Sequence, residues 1–219
     1  MNPLPFLHEL ALHNERPWFQ QHKAEYEEVR AGWMADINRF IAACSAWEPA
    51  YSYLDANECC YRIYRDTRFS QDKTPYKTYM SAALTPRGRK ARMAGIYIQA
   101  GVELNDNAIN GVLWPPSDAE LRKMRHAIVD NIEELEEILA DPRLKSNFPE
   151  WWGPTLKTAP KGWDRNHPQA PLLRLLNYGR EHRVDPTFWD DPAWPERAAE
   201  LAAPLKPLLD FLNYSLYEE

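Results

Sequence analysis

Between residues 59 and 114 the apolar residues recur with a period of two, in segments too close together to leave room for helices between them. "CCYRIYRD" sets Tyr61 and Ile63 on one face and Arg62, Tyr64 and Asp66 on the other. "TYMSAAL" and "AGIYIQA" are two more strand candidates, joined through "TPRGRKARM". "VELNDNAINGVLW" reads as a hairpin through its Asn-Asp-Asn turn. Parallel neighbours need a long crossover, usually a helix. The spacing therefore predicts an antiparallel sheet, and the helices on either side of it in sequence make the class α+β.

Those helices announce themselves by a different period. Phe19, Tyr26, Val29, Trp33, Ile37, Phe40, Ile41 and Cys44 form one apolar stripe, which predicts a helix from about Pro17 to Cys44. Pro17 is tolerated in its first turn, and Gly32, at about 1 kcal/mol, is expected to mark a bend. A shorter helical block, "PFLHELALH", precedes it, and the pattern restarts after Asn14. Downstream, Ser117 and Glu120 form a capping box, followed by Leu121, Met124, Ile128, Ile132, Leu135 and Leu139 at helical spacing. Beyond Asp141 the chain turns Pro- and Trp-rich. Short helices are predicted at "PLLRLLNYG" and at "PERAAELAAPLKPLLDFLNYSLY", the latter interrupted near Pro204 and Pro207. No repeat, low-complexity tract or linker divides the chain. Residues 1–219 are expected to form a single α+β domain: an antiparallel sheet packed against the N-terminal and central helices, with a Pro/Trp-rich C-terminal part.

Composition narrows the function classes. Hydrophobic residues at 44% and charged residues at 26% are ordinary for a soluble globular protein. No apolar run approaches the roughly 18 residues of a membrane span, and the N-terminus has no signal-peptide pattern. Three cysteines, two of them adjacent, fit a reduced chain. A cytoplasmic location without membrane association is expected, with Cys59 and Cys60 as small core residues. There is no G-x-G-x-x-G or Walker A motif, and the six histidines show no ligand spacing, so neither a cofactor nor a metal is expected. The net charge of −6 conceals an asymmetry. Residues 61–92 carry nine Lys or Arg against two acids, leaving seventeen basic against thirty acidic residues elsewhere. The acidic bulk disfavours nucleic acid as a partner, while the basic window points to an anion.

Thr74 precedes Pro75 and is biased to extended backbone, so "SQDKTPY" reads as a tight loop. It would present Ser70, Lys73, Tyr76 and Lys77 beside Arg62, Arg65, Asp66 and Arg68. Arg forks and Lys ammonium groups on a stiff loop suit a phosphate or carboxylate. These eight residues are the candidate site for a small anionic ligand. Alternatively, Arg65, Arg68, Asp66 and Asp72 form an ion-pair network holding the loop to the sheet. The same pocket could belong to a hydrolase or transferase, with Asp66, Asp72 or His167 as acid–base group, or the patch could meet an acidic partner. His167 in "PKGWDRNHP" competes with a simple turn before Pro168. The S-x-x-K spacing of Ser70 and Lys73 lacks the helix its chemistry requires. Trp151 and Trp152 read as core plugs. The oligomeric state stays open.

Three blocks in order, "NERPWFQQHKAEYEEVR", "YRIYRDTRFSQDKTPYKTYM" and "PKGWDRNHP", resemble the family called domain of unknown function 2461 across nearly the whole chain. Arg68-Phe69-Ser70, Asp72-Lys73 and Pro75-Tyr76-Lys77-Thr78 carry the most specific part. Gln71 and Tyr79 depart from the Lys and His that the pattern leads one to expect there. The resemblance implies one domain and carries no catalytic residue with it.

Overall fold

The computed structural model describes residues 1–113 and 115–217. Helices α1 (Leu4–Leu12) and α2 (Arg16–Gln21) lead into α3 (Lys23–Cys44), whose stripe from Tyr26 to Cys44 is buried. The single helix predicted from Pro17 is two. His22 leaves helical geometry, with its ring stacked 4.0 Å from Trp18 and its Nδ1 2.9 Å from the Trp18 carbonyl. Gly32 has a different role from the one expected, because α3 runs through it unbroken. A Cβ there would lie 2.7 Å from the Met1 Cβ, so glycine makes room for Met1, whose ammonium pairs with buried Asp36.

The predicted strand at 59–66 does not form. Cys59 closes a short helix, α4 (Ala56–Cys59), capped by the Asp55 carboxylate. The following segment forms an isolated bridge to the sheet at Cys60–Ala82 and pairs with itself at Tyr64–Tyr76. Pro75 has no N–H to extend that pairing. Consequently Ile63 is buried, while Tyr61 is 37% exposed.

The other strands appear as read. Strands β1 (Tyr79–Leu84), β2 (Gly95–Gly101) and β3 (Ala108–Leu113) are antiparallel neighbours. Trp114, at the end of the predicted hairpin stretch, lies outside the described residues. Next, α5 (Asp118–Asp130) opens with both halves of the capping box. It breaks at Asn131 before α6 (Ile132–Ala140), and α7 (Pro142–Asn147) follows. The predicted helix at 171–179 shrinks to α8 (Ala170–Leu173), and an unanticipated edge strand, β4 (Tyr178–Arg183), pairs with β3. Its polar Arg-Glu-His-Arg run shows no apolar alternation, and the β3 ladder holds it in place. The chain closes with α9 (Trp194–Ala202) and α10 (Lys206–Tyr217), separated where Pro204 and Pro207 required.

The sheet order is β1-β2-β3-β4. One face, with Met80, Ala82, Leu84, Ile96, Ile98, Ile109 and Leu113, joins a single core that runs from Leu4 to Leu216. Against it lie α1, α9 and α10, with α3 packed on α9. Trp33, Trp189 and Trp194 meet there with ring centroids 5.1–6.1 Å apart. Among the described residues, no helix is long and apolar enough to cross a membrane.

Candidate functional site

The other face of the sheet lines a cavity of about 550 Å³. Strand alternation delivers the floor: Tyr79, Ser81 and Ala83 from β1, Tyr97 and Gln99 from β2, Ala108 and Asn110 from β3, Glu181 and Arg183 from β4. The register places Ala83, Tyr97, Asn110 and Glu181 in one row, and Ser81, Gln99, Ala108 and Arg183 in the next. Small Ala residues among large polar ones leave the hollow. Loops form the walls, through Tyr61 and Lys77, Arg89 and Met93, Asn105 and Asp106, and Trp152.

A hydrogen-bonded chain crosses the floor. The Tyr97 hydroxyl donates to Gln99 Oε1 at 2.6 Å, and Gln99 Nε2 donates to Asp106 Oδ1 at 3.1 Å. Burial pushes the Tyr97 phenol above its ordinary pKa. Burial, reinforced by Glu103, raises the Asp106 carboxyl. Glu181 Oε1 accepts from Arg183 Nε at 2.8 Å, and Arg183 also donates to Asn105 Oδ1 at 2.6 Å. Asn110 is 4% exposed, and its Oδ1 has no hydrogen-bond partner among the described residues.

The cationic wall is fixed by aromatic rings. Lys77 Nζ lies 5.4 Å from the Tyr61 ring centre and 5.5 Å from that of Tyr79. Arg89 lies 5.2 Å from the Tyr61 ring and donates to the Glu58 carbonyl at 2.7 Å. Such contacts hold a cation without neutralising it. Burial, then the Arg62 and Arg89 guanidinium groups, keep the Lys77 pKa below its ordinary value.

The eight residues predicted as the site divide into groups. Tyr76 is buried, its ring stacked 4.0 Å from Phe19 and its backbone bracketed by Asn14. Asn14 Nδ2 donates to the Tyr76 carbonyl at 3.0 Å, and the Tyr76 N–H donates to Asn14 Oδ1 at 3.1 Å. Arg65 is engaged by Asp72 and the Thr74 hydroxyl. The Thr74 N–H, then Arg65, lower the Asp72 pKa to about 2. Arg68 forks onto Asp66 at 2.6 and 2.9 Å, with both side chains exposed. Lys73 donates to the Thr67 carbonyl at 2.9 Å. Arg62 is exposed and Ser70 half-buried. The ion pairs are thus local to the loop, and Asn14 with Phe19 ties it to the body. Arg65, Asp66, Tyr76 and Lys77 line a second cleft of about 600 Å³, which shares Lys77 and Tyr79 with the sheet cavity. Arg62, Arg68, Ser70 and Lys73 line neither cavity.

His167 and the cysteines follow their simpler readings, and Trp151 packs against the core, but Trp152, read as a core plug, lines the sheet cavity instead. His167 Nδ1 accepts from the Gln169 N–H at 3.1 Å, and Asp164 Oδ1 accepts from the Asn166 N–H at 2.8 Å, which makes a turn. Cys44, Cys59 and Cys60 are free, and burial raises all three thiols. Sequence reasoning passed over Tyr97, Gln99, Asp106, Asn110 and Glu181. The polar half of the β1 and β2 alternation was a visible signal for the floor. Glu181 had none, because its strand went unread.

Fold and site together define a small α+β protein with a polar, partly cationic cavity on the sheet face opposite its core. The chain belongs to the conserved hypothetical protein family DUF2461, whose family model matches residues 2–211 and so includes every wall of that cavity. Comparison with curated proteins and with solved structures returned no match.

Proposed function

We propose that the protein binds a small anionic ligand in the sheet cavity, with Lys77 and Arg89 holding the anion. The observation that carries this reading is Lys77. Lys77 is half-buried on the cavity wall, its ammonium near two aromatic rings and two guanidinium groups and in no ion pair among the described residues. Partial burial of a charge without a counter-ion is unfavourable, and an arriving anion reverses that. The volume falls in the range of small-molecule pockets, roughly 300–1,000 Å³. Of the predicted cluster, Lys77 is placed to meet the ligand, whereas Arg68 and Lys73 have their polar groups already engaged. The three free cysteines favour a reducing, cytoplasmic location.

Inorganic phosphate at tenfold its Kd should stabilise the protein by about 1.4 kcal/mol, a melting shift of roughly 3–6 °C. Lys77→Met should abolish the shift and Arg68→Ala should keep it. The opposite pattern would move the site to the loop tip. The Tyr97–Gln99–Asp106 chain favours a second reading, catalysis on the bound ligand with Asp106 as proton donor. Asp106→Asn would then remove turnover while leaving phosphate binding intact.

A further inference from the structure

The cavity is polarised. Lys77 and Arg89 stand on one wall, while acceptors gather on the floor and the far side: Asn110 on β3, Glu181 opposite it in register on β4, and Asp106 between β2 and β3. The Tyr97 hydroxyl is committed to Gln99, and Gln99 to Asp106. Arg183 engages Oε1 of Glu181, whose side chain is 14% exposed. Oε2 of Glu181 has no hydrogen-bond partner among the described residues. A buried acceptor is costly to leave unmade, so native sites supply a donor from a ligand or a water. Charge points the same way, since Lys77, Arg89 and Arg183 face Asp106 and Glu181, a lining of mixed sign that suits a ligand of mixed sign.

Building on the anion reading above, we infer that the ligand also carries a protonated amine, received by Glu181. The class is therefore an amino-bearing phosphate or carboxylate. A hydroxyl could satisfy Glu181, but a carboxylate gains more from an ammonium, because a charge-assisted hydrogen bond is roughly twice as strong as a neutral one.

The test is titration calorimetry of the full chain with inorganic phosphate, ethyl phosphate and O-phosphoethanolamine. The two esters differ in that one ends in a methyl group and the other in an ammonium group. O-phosphoethanolamine should bind about tenfold more tightly than ethyl phosphate. Glu181→Gln, which is nearly isosteric, should bring the two esters within about twofold of each other and leave inorganic phosphate unchanged. Equal affinity of the two esters for the wild-type protein, or an amine preference that survives Glu181→Gln, would overturn the amine assignment and leave the anion site standing. Binding of none of the three would overturn the anion reading and this inference with it.

Discussion

Replacing Asn14 with Ala should loosen the loop that carries Lys77, although Asn14 lines only the second cleft and not the sheet cavity. The Asn14 amide meets the Tyr76 backbone as a strand neighbour would, donating at 3.0 Å and accepting at 3.1 Å. Tyr76 is 3% exposed, so truncation strands one N–H and one C=O in a site that water reaches poorly. An unsatisfied buried group costs roughly 1–3 kcal/mol. Both groups are only partly enclosed, which places the total near the low end, at about 2–3 kcal/mol. For a chain of this size that is a fall in Tm of roughly 4–12 °C. Urea denaturation followed by tryptophan fluorescence measures the loss, and amide exchange at Tyr76 and Lys77 localises it. Phosphate should bind more weakly to the variant, because Lys77 follows Tyr76 directly in the chain. Asn14→Asp keeps the acceptor for the Tyr76 N–H and sets a carboxylate against the Tyr76 carbonyl, so it should rescue little. A loss below about 0.5 kcal/mol, or unchanged exchange at Tyr76, would refute the reasoning.

Three further outcomes are expected. The Lys77 pKa is lowered by burial and two neighbouring cations, so the folded state disfavours its proton, and stability should rise with pH between that lowered value and the ordinary 10.5. The wild-type stability relative to Lys77→Met should therefore improve from pH 7 to pH 10.5 in urea melts, and a flat difference would contradict this. Asp72 should titrate near 2 by carboxyl NMR, with any stabilisation present above 3.8 and lost as pH falls through 2. Arg65→Met should raise that midpoint only partway, since the Thr74 N–H remains at 2.9 Å, and a wild-type midpoint near 3.8 would refute the hydrogen-bond account. Finally, Ser117→Ala removes the cap that accepts from the Glu120 N–H and should cost about 1 kcal/mol in chemical denaturation, with no change in phosphate affinity.

What the sequence determined by itself was whatever lies within a few residues of its cause. Strands β1 to β3 followed from alternation and short connections, and the start of α5 from Ser117 and Glu120. The break between α9 and α10 came from two prolines, and the extended loop at 70–76 from Pro75. The cation cluster was visible as composition too, and Lys77 was within it. Tertiary structure decided the rest. Strand β4 has no apolar alternation and exists because β3 offers it a ladder. Asn14 looked like a mere gap between helices until the fold brought it to Tyr76, 62 residues away. Which cations stay unneutralised was likewise a matter of neighbours, since Arg68 found Asp66 two residues away while Lys77 met rings and other cations. The cavity floor shows the limit most plainly. Alternation reveals that Tyr97, Gln99 and Asn110 share a face, but whether that face is covered depends on where distant helices pack. Here α9 and α10 take the apolar side, and the polar side is left as a hollow.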